Sequence, residues 1–127
     1  MAEWILDSSA VLASLHGEPG GEVATAAFPT AMISAVNLSE VMSRLVDKGH
    51  AEADAASLAI AGGYSVADFD ESSSLRAGAL RGVTRRLGLS LGDRACLALA
   101  EREGLPVLTA DRAWASLDIG VDIRLIR

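Results

Sequence analysis

The 127 residues suffice for one domain with a sizeable core, since half of them are hydrophobic. The single cysteine, Cys96, excludes an internal disulfide framework and fits a reducing compartment. The formal net charge of −6 argues only weakly against a nucleic-acid partner, because metal ions would cancel the charge of carboxylates that bind them.

The amino end has no basic segment typical of a secretory signal, and no apolar run approaches bilayer-spanning length. We therefore expect a soluble, cytoplasmic protein without a membrane partner. Hydrophobic spacing and turn residues then predict alternating short strands and helices. The elements predicted in the first half are a strand at 4–6, helices at 8–15 and 22–28, a strand at 31–33, and helices at 35–48 and 51–61.

The second half continues the alternation of strands and helices. Its predicted elements are a strand at 64–69, a basic amphipathic helix at 72–87, a helix at 91–103, a strand at 105–109 that begins around Pro106, a short helix at 112–117 and a strand at 122–126. Short apolar strands separated by helices are typical of a parallel sheet that is covered on both faces. We expect one α/β domain over residues 1–127, with three α/β/α layers and four to five strands.

Four acidic residues are placed so that this fold would bring them to one edge of the sheet. Asp7 closes the first strand and Asp111 follows the fourth, whereas Glu40 lies inside a helix and Asp93 near the start of another. Because the carboxyl ends of parallel strands meet at one edge of the sheet, the four side chains are expected to converge. Converging carboxylates repel one another, so this arrangement favours a bound cation.

Helix capping offers a structural alternative for each acid. Ser90-x-x-Asp93 resembles a capping box, and Asn37-x-x-Glu40 can be interpreted in the same way. The other two acids directly precede predicted helices, where an N-cap aspartate is ordinary. Capping is the better interpretation of each acid alone. The joint pattern, with Glu40 in a helix interior, favours a metal site.

The side chains near these acids restrict the kind of metal. His16 and His50 match no ligand spacing, and Cys96 belongs to an apolar helical stripe, which predicts a core residue. Oxygen ligands without histidine or cysteine favour Mg²⁺ or Mn²⁺ over zinc.

Four blocks of sequence, in this order, are similar to one known family. They are LDSSA at 6–10, NLSEV at 37–41, LSLGDRACLALA at 89–100 and VLTADRAW at 107–114. On these blocks the sequence resembles the PIN-domain family, and within it the VapC-type toxins, over essentially its whole length.

The resemblance implies a metal-dependent endoribonuclease that hydrolyses RNA phosphodiester bonds. Carried over by position, the family's acidic quartet is matched by Asp7, Glu40, Asp93 and Asp111, which would hold Mg²⁺ or Mn²⁺. Three further residues are expected to assist these acids at most, without binding the metal directly. They are Ser8, Thr109 and Asp118.

The resemblance also implies partners. A VapC-type toxin is held inactive by a cognate antitoxin that covers its site, and it commonly forms a homodimer through its helices. The arginines between Arg76 and Arg86 suggest a path for the RNA substrate, although a solvated helix face explains them as well.

Other functions fit less well. A receiver-type phosphorylation domain needs a lysine near its site, whereas the only lysine, Lys48, ends a helix away from the sheet edge. Neither the glycine fingerprint of a Rossmann protein nor the P-loop motif occurs. Two alternatives stay open: a non-catalytic PIN-like module that binds RNA or protein, and a DNA nuclease that uses the same metal site.

Overall fold

Five short strands form one parallel sheet at the centre of the protein, whose computed structural model describes residues 1–127. The strands are β1 (Trp4–Leu6), β2 (Ala31–Ser34), β3 (Ser65–Ala67), β4 (Val107–Thr109) and β5 (Ile123–Leu125). Their order across the sheet is β3-β2-β1-β4-β5, and every neighbouring pair is parallel. The predicted parallel α/β architecture is therefore confirmed, with five strands.

Six α-helices cover the two faces of this sheet. They are α1 (Ser8–Leu15), α2 (Gly21–Ala27), α3 (Ala35–Asp47), α4 (Glu52–Ile60), α5 (Glu71–Val83) and α6 (Leu91–Glu103). Short 3₁₀ helices occupy Phe28–Thr30, Arg85–Leu87 and Arg112–Ser116. None of the helices combines the length and the apolar character that crossing a membrane would require.

Two separate cores fill the spaces between the sheet and its helices. The strands alternate between them, so that Leu6 and Leu108 pack with residues of α1 to α4, whereas Ile5 and Val107 pack with residues of α5 and α6. This alternation follows from the two-residue period of a strand. The result is the three-layer arrangement that the sequence predicts.

The predicted helix at 72–87 is wrong in one respect, because the structure divides it. Helix α5 ends at Val83, and buried Thr84 bonds its hydroxyl to the carbonyl oxygen of Leu80 at 2.7 Å. A threonine that bonds back to its own helix competes with regular helix geometry. The chain then makes the 3₁₀ turn at Arg85–Leu87 and ends it at Gly88, whose φ of +61° suits glycine.

The fourth strand begins as predicted around Pro106. The proline itself lies just before β4, and its carbonyl oxygen accepts a hydrogen bond from the backbone N–H of Ile5 at 2.9 Å. Because proline has no N–H to donate, it can join the sheet only through this carbonyl. The contact fixes β4 beside the central strand.

A backbone contact between Gly20 and Ile126 gives a testable prediction for stability. Gly20 has a φ of +85°, and a Cβ there would lie 2.3 Å from the carbonyl oxygen of Ile126. Gly63 has a similar φ of +81° but open space around it. Left-handed strain alone costs about 1–2 kcal/mol. In urea denaturation we expect Gly20→Ala to lose clearly more unfolding free energy than Gly63→Ala, and equal losses would contradict the contact.

Candidate metal centre

Asp7 lies at the carboxyl end of the central strand, where its carboxylate is buried. Only 4% of the residue is exposed. It occupies the N-cap position of α1 but makes no capping bond. Instead its Oδ2 accepts hydrogen bonds from Ser9 Oγ at 2.6 Å and Thr109 Oγ1 at 2.9 Å. Capping therefore does not account for this acid.

The electrostatic environment of Asp7 favours a cation. Burial raises the pKa of this carboxyl from its ordinary value of 3.8 to about 6, and the two hydroxyl hydrogen bonds oppose that rise. The negative charges of Asp93 and Glu40 raise it further. None of the groups that shift this pKa is cationic. Three acids thus interact without a compensating positive side chain.

Glu40 lies in the interior of α3 and is half-buried. Its Oε1 accepts hydrogen bonds from Ser8 Oγ at 3.0 Å and Asn37 Nδ2 at 2.9 Å. The capping interpretation of Asn37 and Glu40 is wrong, because the N-cap of α3 is Ser34, whose hydroxyl accepts from the backbone N–H of Val36. Both residues instead belong to the interior of this helix.

Asn37 connects Glu40 to the start of α6. Its side chain is fully buried, and Nδ2 also donates to the carbonyl oxygen of Gly92 at 2.9 Å. A Cβ at Gly92 would lie 2.1 Å from Glu40 Oε2. As long as the Glu40 carboxylate keeps this position, only glycine fits at position 92. This packing holds α3 and α6 together at the candidate site.

Asp93 and Asp111 do act as helix caps. Asp93 Oδ2 accepts from the backbone N–H of Ser90 at 3.0 Å, and Ser90 Oγ accepts from the backbone N–H of Asp93, which completes a capping box. Asp111 Oδ1 accepts from the backbone N–H of Ala113 at 3.0 Å. In each case the second carboxylate oxygen makes no hydrogen bond, so capping leaves one oxygen of each acid free for a ligand.

Ser9 is a site residue that sequence reasoning missed. Its hydroxyl donates to Asp7, accepts from the backbone N–H of Ala110 at 2.9 Å and lies 3.3 Å from Thr109 Oγ1. Thr109 Oγ1 in turn accepts from the backbone N–H of Asp111 at 3.0 Å. These hydroxyls link the end of β1 to the end of β4. Only the adjacent Ser8-Ser9 pair after Asp7 could have indicated this.

The remaining candidates lie elsewhere or are already paired. Asp118 is exposed and lines a separate groove with residues of α5, without a hydrogen bond to the four acids. Arg76 forms an ion pair with Glu101 at 2.6 Å. Cys96 is fully buried, and burial raises the pKa of its thiol well above the ordinary value, as expected for a core residue.

The donor set fits a hydrated magnesium or manganese ion. All four carboxylates keep one oxygen without a hydrogen bond, and no histidine or cysteine shares the site. No three of the acids lie close enough together to enclose a cation by themselves. Mg²⁺ usually keeps several waters and needs only one or two direct carboxylates. The oxygen chemistry therefore suits this kind of ion, although the structure does not draw three of the acids into one cluster.

Comparison with known proteins identifies the family of the fold. A family model for the PIN domain matches residues 4–120. The chain is similar to a DNA-bound VapBC from Salmonella typhimurium, with a TM-score of 0.77, 19% identity and 100% of both chains covered. No match is found among curated protein sequences.

Two further solved structures are similar over nearly the whole chain. A toxin–antitoxin complex from Klebsiella pneumoniae gives a TM-score of 0.74 at 20% identity, with 100% of this chain and 98% of that chain covered. VapC20 of Mycobacterium tuberculosis, described as a toxin that cleaves the sarcin-ricin loop, gives 0.71 at 20% identity, with 94% and 99% covered. At these identities the similarity shows a shared fold.

The raised pKa of Asp7 predicts how stability depends on pH. Because the folded value of about 6 exceeds the ordinary 3.8, the fold retains a proton that the unfolded chain releases, so stability falls as pH rises through this window. Asp7→Asn removes that fall. In EDTA we expect the variant to be more stable than wild type by roughly 2–3 kcal/mol at pH 8 and no more stable at pH 4.

Chemical denaturation at the two pH values measures this difference. Asp118→Asn, an exposed acid outside the site, serves as the control and is expected to change stability little at either pH. A gain for Asp7→Asn that is equal at both pH values would contradict the electrostatic explanation.

Proposed function

We propose that the chain, which belongs to the PIN domain family, is a Mg²⁺- or Mn²⁺-dependent endoribonuclease and the toxin of a toxin–antitoxin pair. The observation that carries this proposal is the buried Asp7 carboxylate, which faces two further acids without any cationic partner. A carboxylate buried in this way is costly unless a cation neutralises it. Family membership supports nuclease chemistry, and similarity to VapC-type structures supports the toxin role.

Asp7 and Asp93 are the proposed direct ligands of the metal ion, through the oxygens that make no hydrogen bond. Asp111 would bind directly or through water. When bound, such an ion makes water more acidic and offsets negative charge on the phosphoryl oxygens. Ser9 and Thr109 orient Asp7 by holding its Oδ2.

Glu40 has a second role in this proposal. Ser8 and Asn37 both bond to Oε1, so the carboxylate cannot turn freely, and Oε2 is left to ligate or to accept a proton from the attacking water. The water would then add to phosphorus as the bond to the leaving oxygen breaks. A fixed carboxylate loses little entropy in the reaction, which is the advantage of preorganisation.

An antitoxin and a second copy of the chain are the proposed protein partners. The similar structures from Salmonella typhimurium and Klebsiella pneumoniae contain toxin and antitoxin together, which supports a cognate antitoxin here. The apolar side chains that α5 exposes, Leu75 and Val83, are compatible with a homodimer.

Cleavage of total RNA by purified protein free of any partner tests the proposed function. We expect cleavage with Mg²⁺ or Mn²⁺, none with EDTA, and little by Asp93→Asn, which keeps the shape and a capping oxygen but removes a charge. Single-stranded DNA is the control substrate that is matched to the RNA. Cleavage of DNA alone would indicate a DNA nuclease. Absence of cleavage by folded, metal-loaded protein would indicate a binding module.

The close packing of Gly92 against Glu40 predicts a loss of activity without loss of fold. In Gly92→Ala the new Cβ must push the Glu40 carboxylate away from its hydrogen bonds with Ser8 and Asn37, while the backbone can stay in place. We expect the rate of RNA cleavage to fall at least about tenfold while the protein stays folded, with an unfolding free energy lowered by about 1–3 kcal/mol for the two hydrogen bonds.

Gly78→Ala provides the matched control for this substitution. Gly78 also lies in a helix, but nothing is within 4 Å of its added Cβ. We expect wild-type cleavage and a gain of about 0.5–1 kcal/mol in stability, because alanine favours a helix over glycine. If Gly92→Ala cleaves RNA as well as Gly78→Ala, the position of the Glu40 carboxylate beside Gly92 is not needed for the reaction.

A further inference from the structure

We propose that the cleft beside Glu40 contains a nucleotide-binding subsite, in which Phe69 stacks on an unpaired base and Arg44 binds a neighbouring phosphate. This inference rests on the proposed function and deepens it, because it assigns two side chains to the binding of the substrate. A base can stack on a side chain only when it is free of a duplex. The RNA would therefore be single-stranded, looped or bulged beside the bond that is cut.

The cleft is larger than the scissile phosphate requires. It is a cavity of about 900 Å³ that includes Glu40 and Gly92 in its wall. Ligand sites for small molecules typically occupy about 300–1,000 Å³. Its apolar wall comprises Leu12, Ala35, Val36, Phe69 and Leu91, and serine hydroxyls line much of the rest. This combination suits a flat base together with the polar groups of its sugar and phosphate.

Arg44 is the only cationic residue that lines this cleft. It lies one helical turn after Glu40 on α3, and its side chain is exposed. No carboxylate lies within 4.0 Å of its guanidinium, in contrast to Arg76 and Arg124, which are both paired. Its donors are thus available for an anion, and a guanidinium binds phosphate with two parallel hydrogen bonds.

Phe69 is the only aromatic residue in the wall of the cleft. It follows β3 and therefore lies at the same edge of the sheet as Asp7. The ring is half-buried, because it packs against the core on the side of α5 and α6 and also borders the cavity. A ring held by packing loses little freedom when a base stacks on it, and such stacking contributes about 1–3 kcal/mol per base.

The arginines of the α5 region provide a weaker alternative for the substrate path. Arg81 and Arg85 border a depression of only about 70 Å³, and Arg86 borders another groove. Neither depression contains any of the four acids or an aromatic ring. The cleft with Phe69 and Arg44 is continuous with Glu40, so a strand bound there reaches the proposed reaction centre.

Binding of labelled oligonucleotides separates the two contacts. The probes are a fluorescent octamer of oligoadenylate RNA and an octamer with the same backbone but no bases. Binding is followed by anisotropy with Mg²⁺ in an Asp93→Asn background, which prevents cleavage. The variants are Arg44→Ala, Phe69→Leu and Phe69→Tyr, with Arg85→Ala as an exposed arginine control. Thermal unfolding of each variant verifies the fold.

We expect Phe69→Leu to raise the Kd for oligoadenylate about tenfold and to leave the Kd for the base-free octamer unchanged. Phe69→Tyr keeps a ring and should bind like the parent. Arg44→Ala should weaken binding of both octamers. It should also reduce the slope of log K against log salt concentration by about one. Arg85→Ala should change neither Kd.

Several results would overturn the subsite. One is an unchanged Kd for Phe69→Leu. Another is an equal loss of affinity of this variant for both octamers, which would indicate that this wall of the cleft contacts a protein partner. A loss of affinity with Arg85→Ala but not with Arg44→Ala would place the RNA along α5. Failure of the parent protein to bind either octamer would also overturn the subsite. Metal-dependent cleavage by the wild-type Asp93 protein is measured separately. If it cleaves RNA while the subsite fails, the proposed function still stands.

Discussion

The burial of one carboxylate at the end of the central strand governs the rest of the site. Asp7 follows β1, which pairs with β2 on one side and β4 on the other, so its side chain meets groups from both halves of the sheet. A buried charge of this kind is unfavourable unless hydrogen bonds and a counter-ion compensate for it. Ser9 and Thr109 supply the hydrogen bonds, but burial still raises the pKa of this carboxyl, and no cationic side chain is among the groups that act on it. This uncompensated charge is what the proposed metal ion would balance.

The order of the strands explains why these acids come from the same end of the sheet. The chain builds β1, β2 and β3 towards one edge of the sheet and then returns to add β4 and β5 on the other side of β1. Such a reversal opens a crevice at the carboxyl ends of the two adjacent strands, here β1 and β4. Asp7 and Asp111 follow these two strands, while α3 and α6 bring in Glu40 and Asp93. The acids therefore derive from four separate segments, and none of them forms a site alone.

The sequence was most informative where local chemistry decides the structure. Helices 8–15 and 91–103 have the predicted bounds, and the second is set by the Ser90 capping box and by Gly104 in a left-handed conformation. The partners of the acids were not predictable in the same way. The bond from Asn37 to Gly92 spans 55 residues and that from Ala110 to Ser9 spans 101, so only the folded topology brings these groups together. Local patterns also failed at the end of α5, where a tertiary position buries Thr84.

Capping and metal binding, which the sequence presents as alternatives, are compatible in the structure. A cap occupies one oxygen of Asp93 and one of Asp111, and it thereby fixes the direction of the other oxygen. Glu40 lies in a helix interior, where no free backbone N–H is available to do this. Asn37 and Ser8 take over that function with side-chain donors, at the cost of burying an amide whose Oδ1 has no partner. An unsatisfied amide of this kind is hard to explain by stability alone. It is intelligible if the orientation of Glu40 matters more to the protein than the free energy lost at Asn37.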